Sequence, residues 1–189
     1  MIDYEILANS IKHYKKRGFE RIEAPWWVSQ EIMDITRPPG AEDYFIPKNK
    51  KCLVASGEQS FLYMANKGRL PKGKYQTITP CFRDESIGIL HKKGFMKNEL
   101  IIADSQKKQD LDDIIMSARE FFEQYIDKKK LVIKKEPAFK ASLNYDIVLK
   151  AKDQEIELGS YGIRKAPFFS WIYGTGVAEP RLSRALMNL

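Results

Sequence analysis

Residues 82–100 read FRDESIGILHKKGFMKNEL, with Arg83 and Glu85 two apart and then His91, Phe95, Lys97 and Glu99 in quick succession. Strand side chains alternate between faces, so Arg83 shares a face with Glu85, and Phe95 shares one with Lys97 and Glu99. Two strands paired through a turn over 86–94 would bring both rows to one side of a sheet. Such a surface suits a nucleotide. A guanidinium grips phosphate oxygens with parallel hydrogen bonds, a phenyl ring stacks on a purine, and a carboxylate accepts from an exocyclic amine. Spacing alone leaves a hairpin with a solvated charged face as the alternative.

The elements around this hairpin follow from periodicity. Residues 3–16 place Tyr4, Leu7, Ile11 and Tyr14 at helical spacing, closed by Gly18, and FERIEAPWW follows as an extended segment. RPPGAED reads as a turn-rich loop, KKCLVAS as a strand and GEQSFLYMANKG as a short helix. KYQTITPCFR and GFMKNELIIAD are strands by their β-branched and aromatic content. Leu111, Ile114, Ile115, Ala118, Phe121, Phe122 and Tyr125 form one apolar stripe, so 110–128 is expected to be helical. KLVIKKE and segments near 144–151, 154–163 and 168–175 add strands, and a last helix is expected after Gly176 with Pro180 in its first turn. Consecutive strands point to an α+β fold, an antiparallel six- or seven-stranded sheet flanked by helices. No repeat or linker interrupts residues 1–189, so one domain is expected.

Composition narrows the partners. Lys and Arg total 32 against 25 acids, a net charge of +7, which favours anionic ligands such as nucleotides or nucleic acid. Two cysteines, Cys52 and Cys81, exclude a disulfide framework or a Cys-x-x-Cys zinc site. No apolar run approaches a membrane span or a signal peptide, so a soluble, cytoplasmic protein without membrane contact is expected. His13 is expected at the helix surface, Cys81 packed, and the lysines at 128–130 at a helix end where cations suit the dipole.

Three stretches together carry a family resemblance. FRDE…HKKGF resembles motif 2 of the class II aminoacyl-tRNA synthetases, KRGFERIEAPWW their motif 1, and GTGVAEPRLSRAL their motif 3. They occur in order and span residues 15–186; TPCFRDE, FMKNEL and GTGVAEPRL are most similar to the seryl branch. Glycine patterns of P-loop or Rossmann nucleotide sites are absent.

The resemblance implies a class II synthetase fold and an adenylate-forming ligase that uses ATP and Mg²⁺. Arg83 would hold the ATP α-phosphate and the amino-acid carboxylate, Glu85 the adenine amine, Phe95 the adenine ring, and His91 the outer phosphates. Arg181 matches the motif 3 arginine on the γ-phosphate, with Arg184 one turn on. Glu157, in EIELGS, matches a magnesium-binding acid, with Glu155 a second candidate. Ser56-Gly57-Glu58 resembles the loop that binds the substrate amine, a task Glu58 would share with Glu99; Ser160 would touch substrate. The Gly18–Trp27 segment would form a homodimer interface. The span implies a catalytic core without anticodon-binding, coiled-coil or editing domains. Its acceptor would be the tRNA acceptor end. The alternatives are transfer to a carrier protein, a protein lysine or a small molecule, or a non-catalytic paralogue that binds nucleic acid or regulates a partner.

Overall fold

Long β-branched and aromatic runs with one face apolar have to be covered on that face, and here both faces of one sheet are covered. A computed structural model describes residues 1–84, 93–152 and 154–187. In chain order the elements are α1 (Tyr4–Lys15), β1 (Glu20–Arg21), β2 (Trp27–Ser29), α2 (Gln30–Thr36), β3 (Phe45–Ile46), β4 (Lys51–Leu53) and α3 (Gly57–Asn66). There follow β5 (Gly73–Phe82), β6 (Gly94–Ala103), α4 (Lys108–Phe122), β7 (Leu131–Lys135), β8 (Ala141–Lys150), β9 (Glu155–Ala166), β10 (Phe169–Glu179) and α5 (Arg181–Leu186). The main sheet has seven strands in the order β1-β5-β6-β10-β9-β8-β7. It is antiparallel throughout except for the short parallel β1–β5 pair. β2, β4 and β3 form a second, three-stranded sheet.

Helices α1 and α4 cover one face. Asp3 caps α1 through its carboxylate, which accepts from the amides of Glu5 and Ile6. The stripe Leu111, Ile114, Ile115, Ala118, Phe121 and Phe122 of α4 is wholly buried against Leu100, Ile147, Leu149 and Ile172. On the opposite face α3 and α2 pack around Phe61, Leu62, Met33 and Trp171. Ser56 starts α3 with a capping box, its hydroxyl bound to the first turn and Gln59 reaching back.

Several expectations need correction. His13 is buried rather than at the surface: its ring packs edge-on between Tyr14 and Phe121, and Nε2 donates to the Ser117 carbonyl at 2.7 Å. Burial lowers its pKa below the usual histidine value. The extended segment FERIEAPWW does break at Pro25, into β1 and the start of β2 in different sheets, and KKCLVAS supplies β4 of the small sheet. Residues 128–130 form a separate 3₁₀ turn, since the α4 helix ends at Phe122. β10 runs on to Glu179, so Pro180 precedes α5 instead of lying within it. Among the described residues no helix is long and apolar enough to cross a membrane.

Candidate nucleotide and amino-acid site

The β5–β6 hairpin aligns as alternation predicts. Cys81 pairs with Phe95, Thr79 with Lys97 and Thr77 with Glu99, and directly opposed residues of antiparallel strands share a face. Arg83 extends the ladder, its amide donating to the Lys93 carbonyl at 2.9 Å. Its guanidinium carbon lies 5.2 Å from the centre of the Phe95 ring, and Nε donates to the Ala55 carbonyl at 3.0 Å. Arg83 and half-buried Phe95 are thus side by side on one platform. Cys81, opposite Phe95 on the same face, is fully buried, and burial pushes its thiol up to about 11. Glu85 and His91 lie outside the described residues.

Next to the platform a cavity of about 580 Å³ opens over the sheet. Arg83, Lys97, Glu99, Thr175 and Ser160 line it from successive strands, Ser56 and Glu58 line it from the start of α3, and residues 36–43 form its outer wall. Glu99 is buried, accepting from Lys97 Nζ at 2.9 Å and from the Ser56 hydroxyl at 2.6 Å. Glu58 accepts from Arg164 and from the Trp171 indole N–H. Ser160 donates to Asn144 Oδ1 at 2.9 Å, an oxygen that also accepts from the Tyr173 hydroxyl at 2.5 Å. Burial, the largest cause, raises the Tyr173 phenol and the Asp146 carboxyl beside this network.

Two irregularities in the ladders decide which groups reach this face. Asp146 opposes Ser160 and Val148 opposes Glu157, because the register slips between them. Glu157 and Ser160 are three apart, which simple alternation would set on opposite faces; the bulge turns Glu157 to the cavity side. A second slip between Thr175 and Val177 returns Val177 to the helix-covered core. Arg181, at the start of α5, donates to Glu157 Oε1 at 3.2 Å. Phe95, Glu157 and Arg181 are not part of the cavity lining. Phe95 borders the cavity through Arg83, and Glu157 and Arg181 form a pair of their own. Glu155 is paired with Lys134.

Arg164 escaped the sequence reading. A single arginine in YGIRKA looks like a solvated strand residue, and its partner Glu58 is 106 positions away. No local signal marks it.

No group of three or more metal-ligating side chains occurs among the described residues. Magnesium commonly takes one or two carboxylates and completes its shell with phosphate and water oxygens. Glu157, half exposed and bound to a single arginine, fits that requirement.

The family model for the tRNA synthetases class II core domain (F) matches residues 54–172. The chain also superposes on a seryl-tRNA synthetase from Pyrococcus horikoshii complexed with ATP, with a TM-score of 0.81 at 15% identity, covering 98% of this chain and 50% of that one. A cytoplasmic serine-tRNA ligase from Naegleria fowleri in complex with AMP matches with a TM-score of 0.72 at 18% identity, covering 97% of this chain and 52% of that one. At these identities the likeness is one of fold, and the chain spans about half the length of both. No curated protein sequence matches.

Proposed function

The chain belongs to the class II tRNA synthetase core-domain family, and from that membership we propose that it activates an amino acid with ATP in the cytoplasm and passes it to the acceptor end of tRNA. The observation that carries this reading is Arg83, set on the Phe95 ring and opening into a cavity that also holds Glu58 and Glu99. One fixed cation thereby serves two anions, the ATP α-phosphate and the attacking carboxylate. Phe95 and Glu85 take the adenine, His91 and Arg181 the outer phosphates, and Glu58 and Glu99 the substrate amine. Ser160 faces the substrate side chain. Glu157 would hold Mg²⁺, which when bound supplies positive charge to the phosphates.

The amino-acid carboxylate attacks the α-phosphorus and pyrophosphate leaves, so no covalent protein intermediate is needed. Positioning and charge stabilisation carry such a step. Arg83 has its plane set by the Ala55 carbonyl before substrate arrives, and Lys cannot copy a guanidinium fork. Arg181 would exchange its Glu157 contact for phosphate as ATP binds.

The active unit in this proposal is a homodimer through the Gly18–Trp27 segment. Trp26 and Trp27 are 56% and 38% exposed in the single chain, an aromatic surface that a second copy would cover. The basic segments KNKK (48–51), KGRLPKGK (67–74) and HKK (91–93) meet RNA phosphates in this reading, so affinity falls steeply with salt. The test is charging of several tRNAs and of an acceptor-stem minihelix at two salt concentrations. Salt-sensitive charging of minihelix and full tRNA alike supports the proposal. Adenylate formation with no RNA charging overturns the tRNA step and moves the acceptor to a carrier protein, a protein lysine or a small molecule.

A further inference from the structure

Arg164 has no part in the chemistry above, yet it is among the most tightly held cations of the described chain. Its side chain is 11% exposed and that of Glu58 7%. Nη1 donates to both Glu58 carboxylate oxygens, at 2.9 and 2.7 Å, while Nε donates to the Phe139 carbonyl at 3.1 Å. The guanidinium carbon lies 4.1 Å from the centre of the Tyr173 ring. Trp171, fully buried and stacked on Phe169, adds a third bond to Glu58, 2.7 Å to Oε1. Burial, the largest single cause, works to lower the Arg164 pKa, but the Glu58 carboxylate together with Tyr173 and Glu99 raises it above the ordinary arginine value.

A buried ion pair is a poor device for stability, because desolvation offsets the attraction and an apolar pair serves as well. It is an effective device for fixing one orientation. Glu58 lines the cavity, and its three hydrogen bonds come from two side chains, one on β9 and one on β10. The carboxylate therefore cannot rotate without breaking bonds to two strands. Glu99 is likewise matched by Lys97, so both acids read as amine ligands are paired with a cation. An ammonium group entering there meets aimed acceptor oxygens rather than a net negative field.

We propose that Arg164 is a positioning residue that acts through Glu58, fixing the carboxylate edge offered to the amine of the amino-acid substrate, with Trp171 as its auxiliary. The inference rests on the reading of Glu58 as the amine-binding group. Arg164 itself touches no substrate.

A double-substitution cycle in pyrophosphate exchange tests it. Arg164→Gln should raise the KM for the amino acid by about 10- to 100-fold, the range for losing a well-made hydrogen bond to a charged group, and leave the KM for ATP unchanged. Arg164→Lys should restore part of the loss, since it keeps the charge without the fork. In a Glu58→Gln background the same Arg164→Gln change should add little, because residues acting through one another are non-additive. Trp171→Phe removes only the indole donor; it should give a milder rise in amino-acid KM alone, and it serves as the test if Arg164→Gln does not fold. Full additivity of the two substitutions, or an equal rise in both KM values with a lowered unfolding midpoint, would overturn the proposal. A native protein that exchanges pyrophosphate but whose amino-acid KM ignores Glu58→Gln would overturn it too, while sparing adenylation. A native protein that shows no exchange with any amino acid would take down the adenylation reading and this inference together.

Discussion

Gly57 sets how closely α3 approaches the sheet, and replacing it with Ala should damage stability and substrate binding together. A Cβ there would sit 2.8 Å from Glu99 Cβ, 3.0 Å from Thr79 Oγ1 and 3.3 Å from Thr77 Cγ2. These atoms are next to the β5 and β6 backbone, so they cannot swing away as a long side chain would. Carbon atoms rest about 3.5–4.0 Å apart, which leaves the Glu99 contact short by roughly 0.7–1.2 Å. Overpacking of this kind costs about 1–3 kcal/mol, and the better helix propensity of Ala returns at most about 1 kcal/mol. A net loss of about 1–2 kcal/mol lowers the melting temperature of a chain this long by roughly 2–8 °C. The helix also carries Ser56 and Glu58 past Glu99, and a misplacement of about 1 Å can cost on the order of 100-fold in rate. Thermal unfolding followed by circular dichroism, with pyrophosphate exchange on the same sample, reads both effects. Gly94→Ala is the stability control, since a Cβ there meets nothing within 4 Å. A Gly57→Ala protein that melts with the native chain and exchanges at the native rate would refute the close packing of α3 on the cavity floor.

Two further outcomes follow from other parts of the molecule. His13, lowered in pKa chiefly by burial, favours the fold above the ordinary histidine range, and that contribution is lost as pH falls through its folded value; between roughly pH 7 and 5, urea midpoints of the native chain should fall more steeply than those of His13→Gln, and parallel curves would contradict this. Trp27→Glu should shift sedimentation from dimer to monomer without lowering the melting point of the monomer, and a native chain that sediments as a monomer at micromolar concentration removes the interface.

The hairpin was legible because its information is local. Two strands with period two, a short connection and residue types matched to one ligand lie within residues 73–103; the register sets Phe95, Lys97 and Glu99 on one face, and Arg83 lies against the Phe95 ring. The stripe on α4 was equally plain, since apolar residues at helical spacing leave one arrangement, though Tyr125, the last of the expected seven, falls beyond the helix end at Phe122. What escaped depends on contacts distant in sequence or on irregular backbone. Helix α2 has seven residues, QEIMDIT, no side-chain cap and two β-branched isoleucines, so its propensity is weak and its burial against α3 holds it. The face of Glu157 is decided by a bulge that no residue in EIELGS announces. Arg164 gains its meaning only when Glu58 and Trp171 arrive from elsewhere in the chain. Glu58 shows the same limit from the other side. Its motif marked it as an amine-binding acid, but nothing nearby in sequence disclosed the partners that orient it.

In the proposed reaction the cavity beside Arg83 joins an amino acid to the α-phosphate of ATP. ATP–pyrophosphate exchange with each of the twenty amino acids, on the native chain and on Arg83→Ala, measures that step without any acceptor. Exchange is expected with at least one amino acid, lost by about 10²–10³-fold in Arg83→Ala while its circular dichroism and melting temperature stay native. Exchange that survives intact in a folded Arg83→Ala protein, or no exchange with any of the twenty, would contradict it.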